Sequence, residues 1–398
     1  MPLAESDKAL IAGLRAEARN CPESGIVEVF NYGRTRPGLI PLWAGEGDLA
    51  TPSFICDAAT RSLAAGETFY TYQRGLPELR AALAAYHEAQ FGRPFSTERF
   101  FITGGGMQAI QLAFQATAGA GDSVVIHTPA WPNAAAAAGL VGARVVSVPS
   151  EFSINGWSLD LQKLFDACDG TTRAIFLNSP CNPTGWVATK AELRAVLDFT
   201  RSHGIWIIAD EIYSRFVFAG ERSASFRDVA EDDDRILYVN TFSKNWAMTG
   251  WRIGWIEIPE ALGQVFENLI QYNTSGVAAF MQRAAFAALE QGGAFVEHQI
   301  RRVKEGRQVV CGVLAKSNRV EMAWPEGAFY AFFAIAGEDD TAKLGLKLVD
   351  EANVGIAPGT AFGPGGDRFM RLCFARKADD LAEAARRLSH WLGDGADQ

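Results

Sequence analysis

Between about residue 100 and residue 258, short apolar runs alternate with amphipathic segments, and this rhythm restricts the chain to very few architectures. The runs are Arg99–Thr103, Ser123–His127, Arg144–Val148, Arg173–Asn178, Ile205–Asp210, Ile236–Asn240 and Arg252–Ile258. Several are almost unbroken in Val, Ile, Leu, Phe and Trp, as strands covered on both faces must be. Between them, Met107–Thr117 repeats Met107, Ile110 and Phe114 at spacings of three and four. The stretch from about Ala191 to Ser202 carries Leu193, Val196 and Leu197 on one face. This alternation predicts an α/β fold, with a mainly parallel seven-stranded sheet flanked by helices. Ligands of such sheets sit beyond the carboxyl ends of the strands, so the polar residues there matter most.

After about residue 290 the pattern changes. A basic helix around Ile300–Leu314 leads to a strand-like segment, Gly327–Ala336. Helix Thr341–Glu351, the loop PGTAFGPGG, strand Phe369–Phe374 and a last helix, Asp379–Leu392, follow. At 398 residues the chain exceeds what one core usually holds. The expected division is a large domain over 46–290 and a smaller α+β domain over 291–398, the N-terminal segment 1–45 being part of the smaller one.

Charge removes several function classes. With 37 basic against 46 acidic residues the net charge is −9, which offers no footprint for nucleic acid or an anionic membrane. No run of about 18 uncharged apolar residues exists, and the opening MPLAESDKAL lacks a signal-peptide core. The six cysteines are scattered without a C-x-x-C pair, which suggests a reducing, cytoplasmic setting and no metal site.

Four segments at strand ends carry candidate chemistry. In IWIIADEIY, Asp210 directly follows an apolar strand and Tyr213 lies three residues on. Asp210 is either a helix N-cap or an acid facing a cleft. In ILYVNTFSKNWAMTGWRIGW a strand ends in Thr241, Ser243 and Lys244, with Arg252 eight residues later. Two hydroxyls and a guanidinium make a compact phosphate site, and a desolvated lysine beside a cation becomes a nucleophile toward carbonyls. Lysine, phosphate donors and an acid together point to pyridoxal phosphate (PLP): the lysine forms a Schiff base and the acid protonates the pyridine nitrogen. FFITGGGMQAI is a strand, three glycines and a helix. It could cradle phosphate or be a tight turn, and it lacks the G-x-G-x-x-G of a nicotinamide site. FLNSPCNPTGW is rich in turn formers: it is either a simple turn or a segment that places Asn182 at the same cleft.

Taken jointly, these segments resemble the class I/II, aspartate aminotransferase-like family of fold type I PLP enzymes, over almost the whole chain from Gly45 to about Ala375. The resemblance of SKNWAMTGWRIGW implies Lys244 for the covalent link and Arg252 for the phosphate. ADEIY implies Asp210 for the ring nitrogen and Tyr213 for the ring oxygen, to which SPCNPTG adds Asn182. TPAWPN implies Trp131 stacked on the ring, and GGGMQ implies phosphate-binding amides at Gly105, Gly106 and Met107. YTYQRGLPELR implies that Tyr70 reaches the phosphate of a neighbouring subunit, hence a homodimer with shared sites. GEGDLATP and FMRLCFA imply Gly45 and Arg371 at the substrate carboxylate. Gly47, Leu49, Thr241 and Cys181 depart from the usual pattern without removing an essential group. The implied activity is ping-pong transfer of an amino group to a 2-oxo acid such as 2-oxoglutarate. A carbon–sulfur β-lyase on the same fold is the alternative, and an aminotransferase-like regulatory sensor a remote one. The stretch NTSGVAAFMQ (273–282), where one aspartate-specific branch carries an arginine, contains no Arg or Lys. With Trp43 adding an aromatic surface next to Gly45, a tolerant enzyme accepting aspartate and neutral or aromatic donors is expected.

Overall fold

The computed structural model describes residues 5–394. All seven apolar runs enter one sheet: β1 (Phe100–Thr103), β2 (Ser123–Thr128), β3 (Arg144–Pro149), β4 (Thr172–Asn178), β5 (Trp206–Asp210), β6 (Ile236–Thr241) and β7 (Gly254–Glu257), in the order β1-β7-β6-β5-β4-β2-β3. From β6 to β3 every neighbouring pair is parallel. Strand β7 is antiparallel to both β1 and β6. The connection from β6 to β7 holds only a four-residue helix, Phe242–Asn245, and the turn Thr249–Trp251, leaving no covering helix to carry the chain back for a parallel pair. Lys244 and Arg252 therefore share one short connection at the carboxyl end of the sheet.

Helix α1 spans Gly25–Gly33, α2 spans Gly106–Thr117 and α3 spans Lys190–His203. Sequence chemistry fixes the ends of α3: Thr189 and Glu192 form a reciprocal capping box, and Gly204 closes the helix in the left-handed conformation at φ 67°. A second, antiparallel sheet contains β8 (Val320–Met322), β9 (Tyr330–Ile335), β10 (Ala357–Pro358) and β11 (Phe369–Cys373), in the order β8-β9-β11-β10. Around it lie α4 (Gly293–Leu314), α5 (Thr341–Glu351) and α6 (Ala378–Leu392). Helix α4 starts seven residues earlier than its basic stretch suggests, because Val296 continues the buried stripe of Ile300, Val303 and Val310 back to the turn at Gly292.

Near the N-terminus, Ile40–Pro41 pairs in parallel with Val354–Gly355. Two apolar clusters join the two sheets: one has Phe242, Trp246 and Trp255 on one side and Tyr330, Leu372 and Leu388 on the other, and the second packs Ile175 and Ile207 against Phe332 and Phe369. Among the described residues no helix is long and apolar enough to cross a membrane.

Candidate active site

A cavity of about 330 Å³ opens at the carboxyl ends of β4, β5 and β6, beneath the second sheet. Its lining has three cations, Lys244, Arg252 and Arg371, and one acid, Asp210. Each is delivered by a strand or its immediate continuation.

Lys244 sits in the short helix that follows β6. Its Nζ donates to the Gly45 carbonyl at 2.6 Å. Burial lowers its pKa to about 8, with Arg371 and Arg252 pushing in the same direction. The peptide carrying it is held from below: Gln299 Nε2, on α4, donates to the carbonyls of Lys244 and Asn245 at 3.0 and 2.8 Å. A buried amine of this pKa has an appreciable neutral fraction near pH 7, as a nucleophile toward a carbonyl requires.

Asp210 ends β5 with 2% of its surface exposed. Burial raises its pKa to about 7, although Lys244 and a 3.3 Å hydrogen bond from the Ile212 amide oppose the shift. The N-cap reading accounts for that one bond. It does not account for burying a carboxyl without a close counter-ion, which suits a site that takes a protonated nitrogen.

Beside it, Asn178 at the end of β4 donates to the Asp210 carbonyl at 3.2 Å and accepts from the Asn182 amide at 2.8 Å. Asn182 Oδ1 in turn accepts from Arg371 at 3.1 Å. Arg371, on β11, lies 4.7 and 4.8 Å over the Tyr330 and Phe362 rings and also donates to the Trp43 carbonyl. Its buried Nε has no hydrogen-bond partner, and among the described residues no carboxylate pairs with it. A buried guanidinium with spare donors is a receptor for a carboxylate.

At the other end Thr241 and Ser243 hydroxyls lie 2.9 Å apart, and Gly106 and Met107 open α2 beside them. Arg252 adopts a left-handed backbone at φ 51°. A Cβ on Gly105, itself at φ 85°, would stand 2.8 Å from the Arg252 guanidinium. Glycine at 105 therefore gives the arginine its place. Hydroxyls, helix amides and a guanidinium around one point suit a phosphate monoester.

Of the residues singled out in the sequence, Gly45, Gly106, Met107, Trp131, Asn182, Asp210, Tyr213, Thr241, Ser243, Lys244, Arg252 and Arg371 all line this cavity. Gly105 lies just behind it. Tyr70 is 94% exposed, on the outside of the chain near Phe69 and Tyr72. The expectation for Trp43 needs correction. Its ring is buried away from the cavity, between Gly33 and Gly355, where any side chain would collide with it, and only its carbonyl meets Arg371. Sequence reading missed Asn178 and Tyr330, both in the lining. Asn178 stands at a strand end, as Asp210 does, and the same rule could have found it. Ser24, Ile26 and Val27, brought to the rim by α1, carry no local signal.

Among the described residues no cluster of His, Cys, Asp and Glu could hold a metal ion. A family model for aminotransferases of class I and II matches residues 37–388. The chain is 34% identical to an aspartate aminotransferase of Thermotoga maritima, over 89% of this chain and 91% of that protein. It is also 34% identical to an arginine–pyruvate transaminase of Pseudomonas aeruginosa, over 88% and 89%. The crystal structure of an aromatic aminotransferase from Pyrococcus horikoshii superposes with a TM-score of 0.84 at 32% identity, covering 92% of this chain and 99% of that one. A buried lysine, an acid lacking a cation and a phosphate cradle are what pyridoxal phosphate needs, and with these matches the chain belongs to the class I and II aminotransferases, enzymes that use that cofactor.

Proposed function

We propose that this enzyme moves the amino group of a broad set of L-amino acids, neutral and aromatic ones included, to a 2-oxo acid such as 2-oxoglutarate. One observation carries the donor range. Among the described residues Lys244, Arg252 and Arg371 are the only cations of the lining, and each has a task. The remaining wall includes Ile26, Val27, Trp131 and Tyr330, with Ser24 at the rim. Among the described residues of the lining no further cation is left to pair with a distal carboxylate.

When bound, the cofactor supplies an electron-withdrawing ring that stabilises negative charge at the substrate Cα. In this reading Thr241, Ser243, Arg252 and the amides of Gly105, Gly106 and Met107 hold the phosphate, and Trp131 covers the ring. Asp210 gives up to the ring nitrogen the proton that burial otherwise keeps on its own carboxyl. Asn182 and Tyr213 donate to the ring oxygen. Arg371 orients the α-carboxylate beside Gly45, and the Lys244 amine takes the Cα proton and returns it.

A donor panel with 2-oxoglutarate as acceptor tests the range, and activity restricted to aspartate and glutamate would overturn it. Arg371→Ala is expected to raise KM for every donor by a similar factor, about 10- to 100-fold, because it removes charge-assisted hydrogen bonds worth about 1.5–3 kcal/mol. A rise confined to one donor class would contradict the shared-carboxylate role.

The same proposal includes a homodimer with shared sites, a cytoplasmic location and the division 1–45, 46–290 and 291–398. Supporting the dimer, Phe69, Tyr70, Tyr72 and Tyr272 leave 62–94% of their surfaces exposed, more aromatic surface than a lone chain usually leaves in water. Mixing an inactive Lys244→Ala chain with an inactive Tyr70 variant should restore activity in hybrids that hold one intact site. No recovery after demonstrated subunit exchange would count against sharing.

A further inference from the structure

We propose that Tyr330 is a positioning residue, whose hydroxyl donates to Tyr213 and thereby turns the Tyr213 proton toward the ring oxygen of bound pyridoxal phosphate. This rests on the role given to Tyr213 above.

The two phenol oxygens lie 2.7 Å apart, both side chains are buried, and each hydroxyl's hydrogen-bond partner is the other. A phenol has one proton, so one of the two lies between the oxygens and the other is free. Which oxygen donates decides whether Tyr213 can serve a ligand in the cleft. The charges around the pair favour Tyr330 as donor. The Arg371 guanidinium lies 4.7 Å over the Tyr330 ring and is the main influence opposing burial there, whereas Tyr213, which Arg371 also reaches, is pushed up further by burial and by Tyr330 itself. The remaining titratable groups that face the pair are Lys244, 5.9 Å from the Tyr213 ring, Asp210 at the end of β5 and Cys373 on β11. Space for the Tyr330 hydroxyl is reserved by Gly45, where a Cβ would come within 2.5 Å of that oxygen. A hydroxyl that accepts one hydrogen bond becomes the stronger donor in the next, so Tyr330 also strengthens the bond that Tyr213 makes.

Donation to the ring oxygen stabilises its negative charge, so weakening it raises the pH at which the cofactor chromophore loses its proton. The test is a pH titration of visible absorbance in the holoenzyme. Tyr330→Phe should raise the midpoint by about 0.3–1 unit, a two- to tenfold gain in proton affinity. Tyr213→Phe should raise it further, and adding Tyr330→Phe to Tyr213→Phe should change nothing more. A structural role alone would leave the midpoint in place. An unmoved midpoint in Tyr330→Phe, a lowered one (Tyr213 then being the donor), or a Tyr330→Phe shift that persists without the Tyr213 hydroxyl would overturn the proposal. A wild-type protein with no visible band would instead overturn the reading of the site on which it rests.

Discussion

Lys244→Ala is expected to lose at least about 10⁴-fold in turnover while the chain still folds and binds pyridoxal phosphate without a covalent link. Proton transfer by a placed side chain alone contributes about 10²–10⁴, and the variant also loses the nucleophile. Steady-state assays, with mass spectrometry of borohydride-treated protein, check both halves. Wild-type turnover in the variant would remove Lys244 from the chemistry. Stability should move the opposite way. Burial lowers the Lys244 pKa from 10.5 to about 8, so the folded, cofactor-free protein holds its proton less tightly than the unfolded chain. That penalty is present in full below about pH 8 and fades as pH rises to about 10.5. The cofactor-free variant should therefore melt above wild type at pH 7, with the gap closing in alkaline buffer.

Asp210→Ala carries the second large effect: a loss of turnover near a thousandfold, equivalent to about 4 kcal/mol of transition-state stabilisation. Here the titration has the other sign. Burial raises the carboxyl from 3.8 to about 7, so the cofactor-free fold binds this proton more tightly than the unfolded chain does. Its destabilising contribution is absent below about pH 4, grows as pH rises and is complete above about pH 7. Asp210→Asn should thus stabilise the cofactor-free protein at pH 8 and leave it nearly unchanged at pH 4, as calorimetry at the two pH values would show. An effect on melting temperature without loss of turnover would return Asp210 to the N-cap role suggested by its bond to Ile212.

The strands were legible because burial on both faces demands unbroken apolar runs, and such runs stand out in Phe100–Thr103 and Ile236–Thr241. Lys244, Asp210 and Asn182 stood out for a related reason: a polar group directly after a buried strand has to be accounted for. Trp43 misled because adjacency in sequence to Gly45 says nothing about where a ring points. Its pocket is built by Gly33 and Gly355, from opposite ends of the chain, and only the folded chain shows them facing one another. Tyr330 stayed hidden inside a six-residue run that is buried throughout, where a phenol reads like another aromatic core residue. Ile26 and Val27 reach the cleft through the docking of α1, which no local pattern announces.

The strut from Gln299 to the peptide of Lys244 makes catalysis hostage to a helix far along the chain. The carbonyls of Lys244 and Asn245 take their donor from α4, so a chain truncated before that helix would lose both hydrogen bonds and the packing that covers them. The reactive amine and the segment from α4 onward are therefore assembled together. Residual activity becomes an internal gauge of whether that last part of the chain has folded.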